Sequence, residues 1–341
     1  MKLNVVIFCS LLILSSLSLG IPLSDALTKA KTVNSNFMLS GYALEKTNLE
    51  YEKAMIESTN KEEELNAQVA RLNGLSDYQR NYVRSYYSEV VIAYFDMRIA
   101  QIASEVAQLT YMNAKIDNEK KTGLLQKSIL SEPEWKESQI NLNDALDAYE
   151  KADIDFNNRV SEYKRYTSLD EKTMIDIPTP EYTRYTVSEE SWKRTHRELR
   201  SAAYAYEIAK YAVDTLSSST SAYNQKLKAH NLKQKEVALK IAQITALDEK
   251  KKLEQTLFYK KRQIENALKR VTIAEAEMQD IQNRFSKGLV TEAQIHNQKI
   301  SLLNAQKNLL TNHSEYWAAF FDYIIAIDLP LDDVVKSLGE K

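Results

Sequence analysis

The sequence predicts an all-α protein, built of long antiparallel coiled-coil helices in two tandem structural repeats. Three observations predict it. Only six Gly and five Pro interrupt 341 residues, while 27% of residues are charged, a composition that favours long helices. Apolar residues recur at spacings of 3 and 4, the seam of a coiled coil, as in Val271, Ala274, Met278, Ile281 and Phe285. The order of caps and turns in the first half also returns in the second. The formal charge of −2 gives no reason to expect a nucleic-acid partner.

Residues 1–20 read as a secretory signal peptide: Lys2, an apolar run from Val5 to Leu14, then Ser18-Leu19-Gly20 as a small-x-small cleavage site. The only cysteine, Cys9, lies in that run, so the exported chain would have no thiol or disulfide chemistry. The first helical repeat spans 21–168. Its first helix is expected from Leu23 to Leu72, with Asn73 to Asp77 as a corner at Asn73-Gly74. A second helix runs from Tyr78 to Lys121, with an aromatic first half (Tyr78, Tyr82, Tyr86, Tyr87, Tyr94, Phe95). Burying rings between helices is the expected use of that stretch. Thr122 to Leu130 reads as a loop. Ser131-Glu132-Pro133-Glu134 then fits a capping box with Pro in the first turn, and a third helix follows to about Tyr166.

Residues 169–187 form the linker. Pro178-Thr179-Pro180 forbids helix, and Tyr182 to Val187 alternates like a short strand. The second repeat spans 188–330, with a tail at 331–341. Helix resumes near Ser188, and its corner is expected somewhere in 216–250. Ser286-Lys287-Gly288 ends the coiled-coil seam, because Gly tolerates the left-handed position past a helix end. Leu289-Val290 form an apolar tip, and Thr291 to Gln294 is a second capping box. The two halves match: Gly123-Leu124-Leu125 with Gly288-Leu289-Val290, Ser131 with Thr291, and Asn141 to Ala145 with Ser301 to Ala305.

These features resemble the TolC family of outer-membrane efflux and secretion ducts. The turns Gly123-Leu124-Leu125 and Arg284 to Thr291 carry the resemblance, with Leu302 to Gln306 and Leu23 to Leu27. It implies a helical barrel protomer, a homotrimer enclosing a duct, and a place in the periplasm and outer membrane. It also implies docking of a periplasmic adaptor protein and an inner-membrane pump at the tip turns (Gly123, Leu124, Leu125, Gly288, Leu289, Val290). The family's acidic constriction would fall at Gln294 and Asn297, neutral here. Family members insert a strand hairpin at each helix corner to build a membrane barrel. A membrane strand needs about 9–11 residues, so the corners predict that the barrel is missing and that a separate outer-membrane protein is needed.

No residue pattern supports an enzyme, a cofactor or a metal site. His196, His230, His296 and His313 lack a second ligand at metal-binding spacing, and no phosphate loop or nucleophile elbow occurs. The alternative function is a non-conducting coiled-coil spacer of the cell envelope.

Overall fold

The structure is a computed structural model and describes residues 20–339. The expected signal peptide falls, except for Gly20, outside the described residues. The chain runs β1 (Ile21–Pro22), α1 (Leu23–Ala30), α2 (Ser35–Glu57), α3 (Lys61–Tyr78), a π-helical turn (Gln79–Val83), α4 (Arg84–Gln126) and α5 (Glu132–Thr167). A linker with β2 (Ile175–Asp176) and a 3₁₀ turn (Tyr182–Tyr185) leads to α6 (Glu189–Thr195), α7 (Arg197–Asp214), α8 (Ala222–Ser286), α9 (Glu292–Ala326) and α10 (Leu331–Gly339). At about 1.5 Å per residue, the 65 residues of α8 reach about 100 Å.

The helices form a wall four helices wide. Towards the tips the order is α5, α4, α9, α8, and towards the corners it is α2, α3, α7, α8. One face of α8 and the outer faces of α2 and α5 are therefore the free edges. Midway, the ends of four shorter helices meet the middle of the two long ones. Here α1, α6, α10 and the linker wrap the wall into a thick belt. Trp192, Trp317, Tyr86, Tyr163, Tyr316, Phe320, Phe321 and Tyr323 are fully or almost fully buried in it. Burying each such ring contributes about 1.5–3 kcal/mol relative to exposure. The strands pair in parallel, Ile21 with Ile175. The linker is strapped to α8 and α9 by Lys261 to Glu181 at 2.7 Å and by the Tyr316 hydroxyl donating to the Pro180 carbonyl.

Three sequence expectations are corrected. The first helix does not run to Leu72: it breaks at 31–34 and turns at 58–60. Asn34 and Asn60 are the N-caps, each accepting an amide three residues on at 3.1 Å. Asn73-Gly74 is no corner but lies inside α3. A Cβ at Gly74 would meet Thr47 Cγ2 at 2.7 Å, so this glycine permits close approach of α2 and α3 instead of ending a helix. Tyr182 to Tyr185 is a 3₁₀ turn, not a strand, and the strand lies nearer α5 at Ile175–Asp176. The second corner lies at 215–221, at the start of the expected range of 216–250. Neither corner, of three and seven residues, holds a strand. Two spanning strands of about 9–11 residues each do not fit there.

The π turn has a counterpart in the arithmetic of the repeat. From N-cap to left-handed terminal residue, the long helix is one residue longer in the first repeat (Asn60 to Ser128) than in the second (Ser221 to Gly288). A π turn accommodates one inserted residue within a continuous helix. The turn at Gln79–Val83 absorbs that residue, while α8 runs unbroken.

Candidate functional site

Each helical hairpin ends in the same turn. In the second repeat the amides of Gly288 and Leu289 donate to Phe285 and Arg284 at 2.9 and 3.0 Å. That is a Schellman closure around a left-handed residue, Gly288, with φ 68°. Thr291 then caps α9 as expected: its hydroxyl accepts the Gln294 amide at 3.3 Å, and its own amide donates to the Gln294 side chain at 2.8 Å.

The first tip is built alike, but from other residues than the sequence comparison chose. Helix α4 continues through Gly123, Leu124 and Leu125 to Gln126, so none of the three is in the turn. The amides of Ser128 and Ile129 close onto Leu125 and Leu124 at 2.8 and 3.0 Å, with Ser128 left-handed at φ 57°. Lys127 to Ser131 is thus the partner of Lys287 to Thr291, and the two tip loops have equal length. The repeat holds a constant offset of 160 residues here (Ser128 to Gly288, Ser131 to Thr291, Ala145 to Ala305). Counting back three residues from the cap would have found Ser128. The glycine at 123 drew the alignment away from it. At the second cap of this hairpin, the Ser131 amide donates to Glu134 at 3.1 Å, and the Ser131 hydroxyl and amide together hold the Glu134 carboxyl below its ordinary value.

At the tips one apolar side chain points out and its neighbour tucks in. Ile129 is 69% exposed and Leu289 66%, whereas Val290 is buried and Leu130 half-buried. Leu124 and Leu125 are half-buried on the last turn of α4. Gln294 and Asn297 are exposed on the first turns of α9. Gln294 is committed to its cap. Asn297 accepts from the Asn113 side chain of α4 at 2.8 Å, and the Asn113 oxygen lies 2.9 Å from His296 Nδ1. Lys299 to Glu105 at 2.6 Å adds a second α4–α9 tie, about two helical turns further from the tip along α4. These contacts hold the two hairpins in register at the tip end.

One cluster the spacing did not reveal lies near the belt. His196, Glu198 and Glu249 place ligand-capable atoms within 4.8 Å of one another. His196 is buried, and its Nδ1 accepts the Leu199 amide at 3.2 Å as the N-cap of α7. That assigns the neutral ring's proton to Nε2, 3.0 Å from Glu249. The geometry is that of a capped helix tied to α8. Glu249 was invisible in the sequence because it is brought in from a different helix.

Searches with protein-family models and among curated proteins find no match. Solved structures do match. The Campylobacter jejuni outer membrane channel CmeC is similar at TM-score 0.53 and 13% identity, over 93% of this chain and 88% of that one. This is the TolC-like channel fold. A Pseudomonas aeruginosa membrane protein is similar at TM-score 0.54 and 9% identity, over 92% of each chain. VceC, an outer membrane protein of Vibrio cholerae, is similar at TM-score 0.52 and 11% identity, over 89% of this chain and 95% of that one. In the TolC-like frame, the hairpin tips and the short corners are the two ends of one protomer's wall. No helix among the described residues is long and apolar enough to cross a membrane.

Proposed function

We propose that the protein is a TolC-like channel component of an efflux or type I secretion system, forming a helical duct as a homotrimer. The observation that carries this reading is the pair of free edges. A wall whose two edges differ but complement each other closes into a ring through head-to-tail contacts. One edge exposes Met38, Leu39, Tyr42, Leu49 and Ile56 on α2, with Glu45, Glu52, Glu57, Glu62 and Glu63 exposed beside them. The other exposes Tyr223, Leu227, Val237, Ile241 and Ile244 on α8, with Lys226, Lys228 and Lys233 exposed. Near the corners the first edge is net acidic, with Lys46, Lys53 and Lys61 exposed among its glutamates, whereas the second carries no acidic residue from Ser221 to Lys235.

In this reading the tips face the inner-membrane side of the periplasm. Leu289 docks a periplasmic adaptor protein coupled to an inner-membrane pump, and Ile129 takes the place first given to the Gly123-Leu124-Leu125 segment. Gln294 and Asn297 narrow the entrance with amides, which attract cations less than carboxylates do. The repeats 21–168 and 188–330 act as the two hairpin units of each protomer. The strandless corners make a separate outer-membrane protein the means of crossing that membrane. They also favour a second reading, a non-conducting spacer of the envelope. Neither reading calls for covalent chemistry, a cofactor or a metal.

The test is the mass of the exported chain by light scattering without detergent, followed by electron microscopy. A trimer with a central channel supports the duct. A monomer at all concentrations overturns it and leaves the spacer.

A further inference from the structure

A cavity of 260 Å³ opens beside the π turn, on the corner side of the belt. Phe37 of α2, Tyr78, Tyr82 and Tyr86 line it, and Asp328 and Asp332 stand at its rim. The rings are half-buried or buried, while both aspartates are exposed. The cavity therefore has an aromatic floor and an anionic mouth.

The two carboxylates have different partners. Asp332 has Lys31 at 3.4 Å and accepts from the Tyr87 hydroxyl. The same Lys31 ammonium lies 5.0 Å from the centroid of Phe37, so the chain already seats one of its own cations against a ring at this rim. Asp328 is held only by a neutral group, the Gln79 side chain donating at 2.8 Å. Among the described residues, no cationic side chain lies within ion-pair distance of it. Two backbone irregularities also converge here. Gln79 begins the π turn, and Asp328 is left-handed at φ 59°. π turns recur at functional sites, and Asp328 takes the left-handed place of the turn that ends α9, its amide and that of Leu329 donating to Ile325 and Ile324 at 3.0 and 3.1 Å.

The chemistry selects among ligands. An anion meets the uncompensated Asp328 carboxylate and the negative faces of the rings, Asp332 being paired with Lys31. A neutral apolar compound gains from the rings alone. A cation with an apolar body gains from both, since ring faces attract cations. The volume falls just below the usual range for drug-sized ligand sites, so the ligand is compact. We propose that this cavity is a binding site for a compact organic cation, a substituted ammonium whose apolar part enters among Phe37, Tyr82 and Tyr86 and whose charge faces Asp328. The proposal does not depend on the duct reading.

The experiment is calorimetric titration of the purified protein with benzyltrimethylammonium, with benzyl alcohol and benzenesulfonate as neutral and anionic controls. The expected result is saturable binding of the cation at one site per chain, about tenfold tighter than benzyl alcohol, and none of the sulfonate. Asp328→Asn retains a residue suited to the left-handed conformation, and it should weaken the cation about tenfold without changing the far-ultraviolet circular dichroism. Tyr82→Leu is the second variant, should the first misfold, with the same expectation. No saturation up to about 10 mM, equal binding of benzyl alcohol, or unchanged affinity in the folded variants would overturn the proposal.

Discussion

Gly288 and Ser128 are a natural matched pair, and exchanging their residue types tests the account of the tips. Both occupy the left-handed position of the same turn, at φ 68° and 57°. A Cβ built on Gly288 meets nothing within 4 Å, so Gly288→Ala creates no clash. Its cost is backbone conformation alone, about 1–2 kcal/mol for a residue with a Cβ. The substitution also stiffens the unfolded chain, which offsets about 0.4–1 kcal/mol of that cost. The net expectation is a loss of up to about 1.6 kcal/mol for Gly288→Ala. Ser128→Gly should run the other way and gain a similar amount. Urea denaturation followed by circular dichroism measures both. Hydrogen exchange at Gly288 and Leu289, whose amides close the turn, reads the effect locally. If Gly288→Ala is neutral while Ser128→Gly destabilises, the equivalence of the two tips is refuted.

Other outcomes are expected from the same structure. Leu289→Asp and Ile129→Asp, at exposed tips, should leave stability within about 0.5 kcal/mol; under the proposed duct reading they also abolish cross-linking to an adaptor. Val290→Asp, at a buried position, should destabilise the hairpin measurably in the same denaturation assay. Trp317→Ala, at a fully buried site, should cost about 3–5 kcal/mol in urea denaturation. Burial lowers the pKa of His313 from its ordinary 6.5, and its ring stacks on Phe95. The unfolded chain therefore binds this proton more readily than the folded one. Stability should be unaffected by this group above pH 6.5 and fall as pH drops below it, until the folded value is reached. Replacing His313 with Phe should flatten that part of the pH profile.

Much of the tip architecture was legible in the sequence because it is local. Thr291 and Gln294 are three residues apart, and Gly288 needs no distant partner to take a positive φ. Ser128 was harder to see, since a serine carries no mark of a left-handed turn, and Gly123 offered a decoy five residues earlier. The corner at 58–60 was missed for a related reason. Asn73-Gly74 is the stronger stop signal taken alone, but Thr47 of α2 presses against Gly74, and tertiary packing overrides the local preference. The aromatic stretch from Tyr78 to Phe95 was recognisable as packing material, and Tyr86, Tyr87, Tyr94 and Phe95 are buried. That Tyr78 and Tyr82 instead line a cavity depended on the path of α9 and α10.

The sequence by itself determined the helical class, the arrangement in two hairpin repeats, and the caps at Ser131 and Thr291. Heptad spacing, capping and glycine conformation act within a few residues, and those are written in order along the chain. Only the tertiary structure decided the order of helices in the wall, the two edges, the cavity that Asp328 and Tyr82 share, and the meeting of His196 with Glu249. Those depend on which apolar stripe finds which partner, a matter of side-chain volume and burial across the whole belt. No local spacing records it.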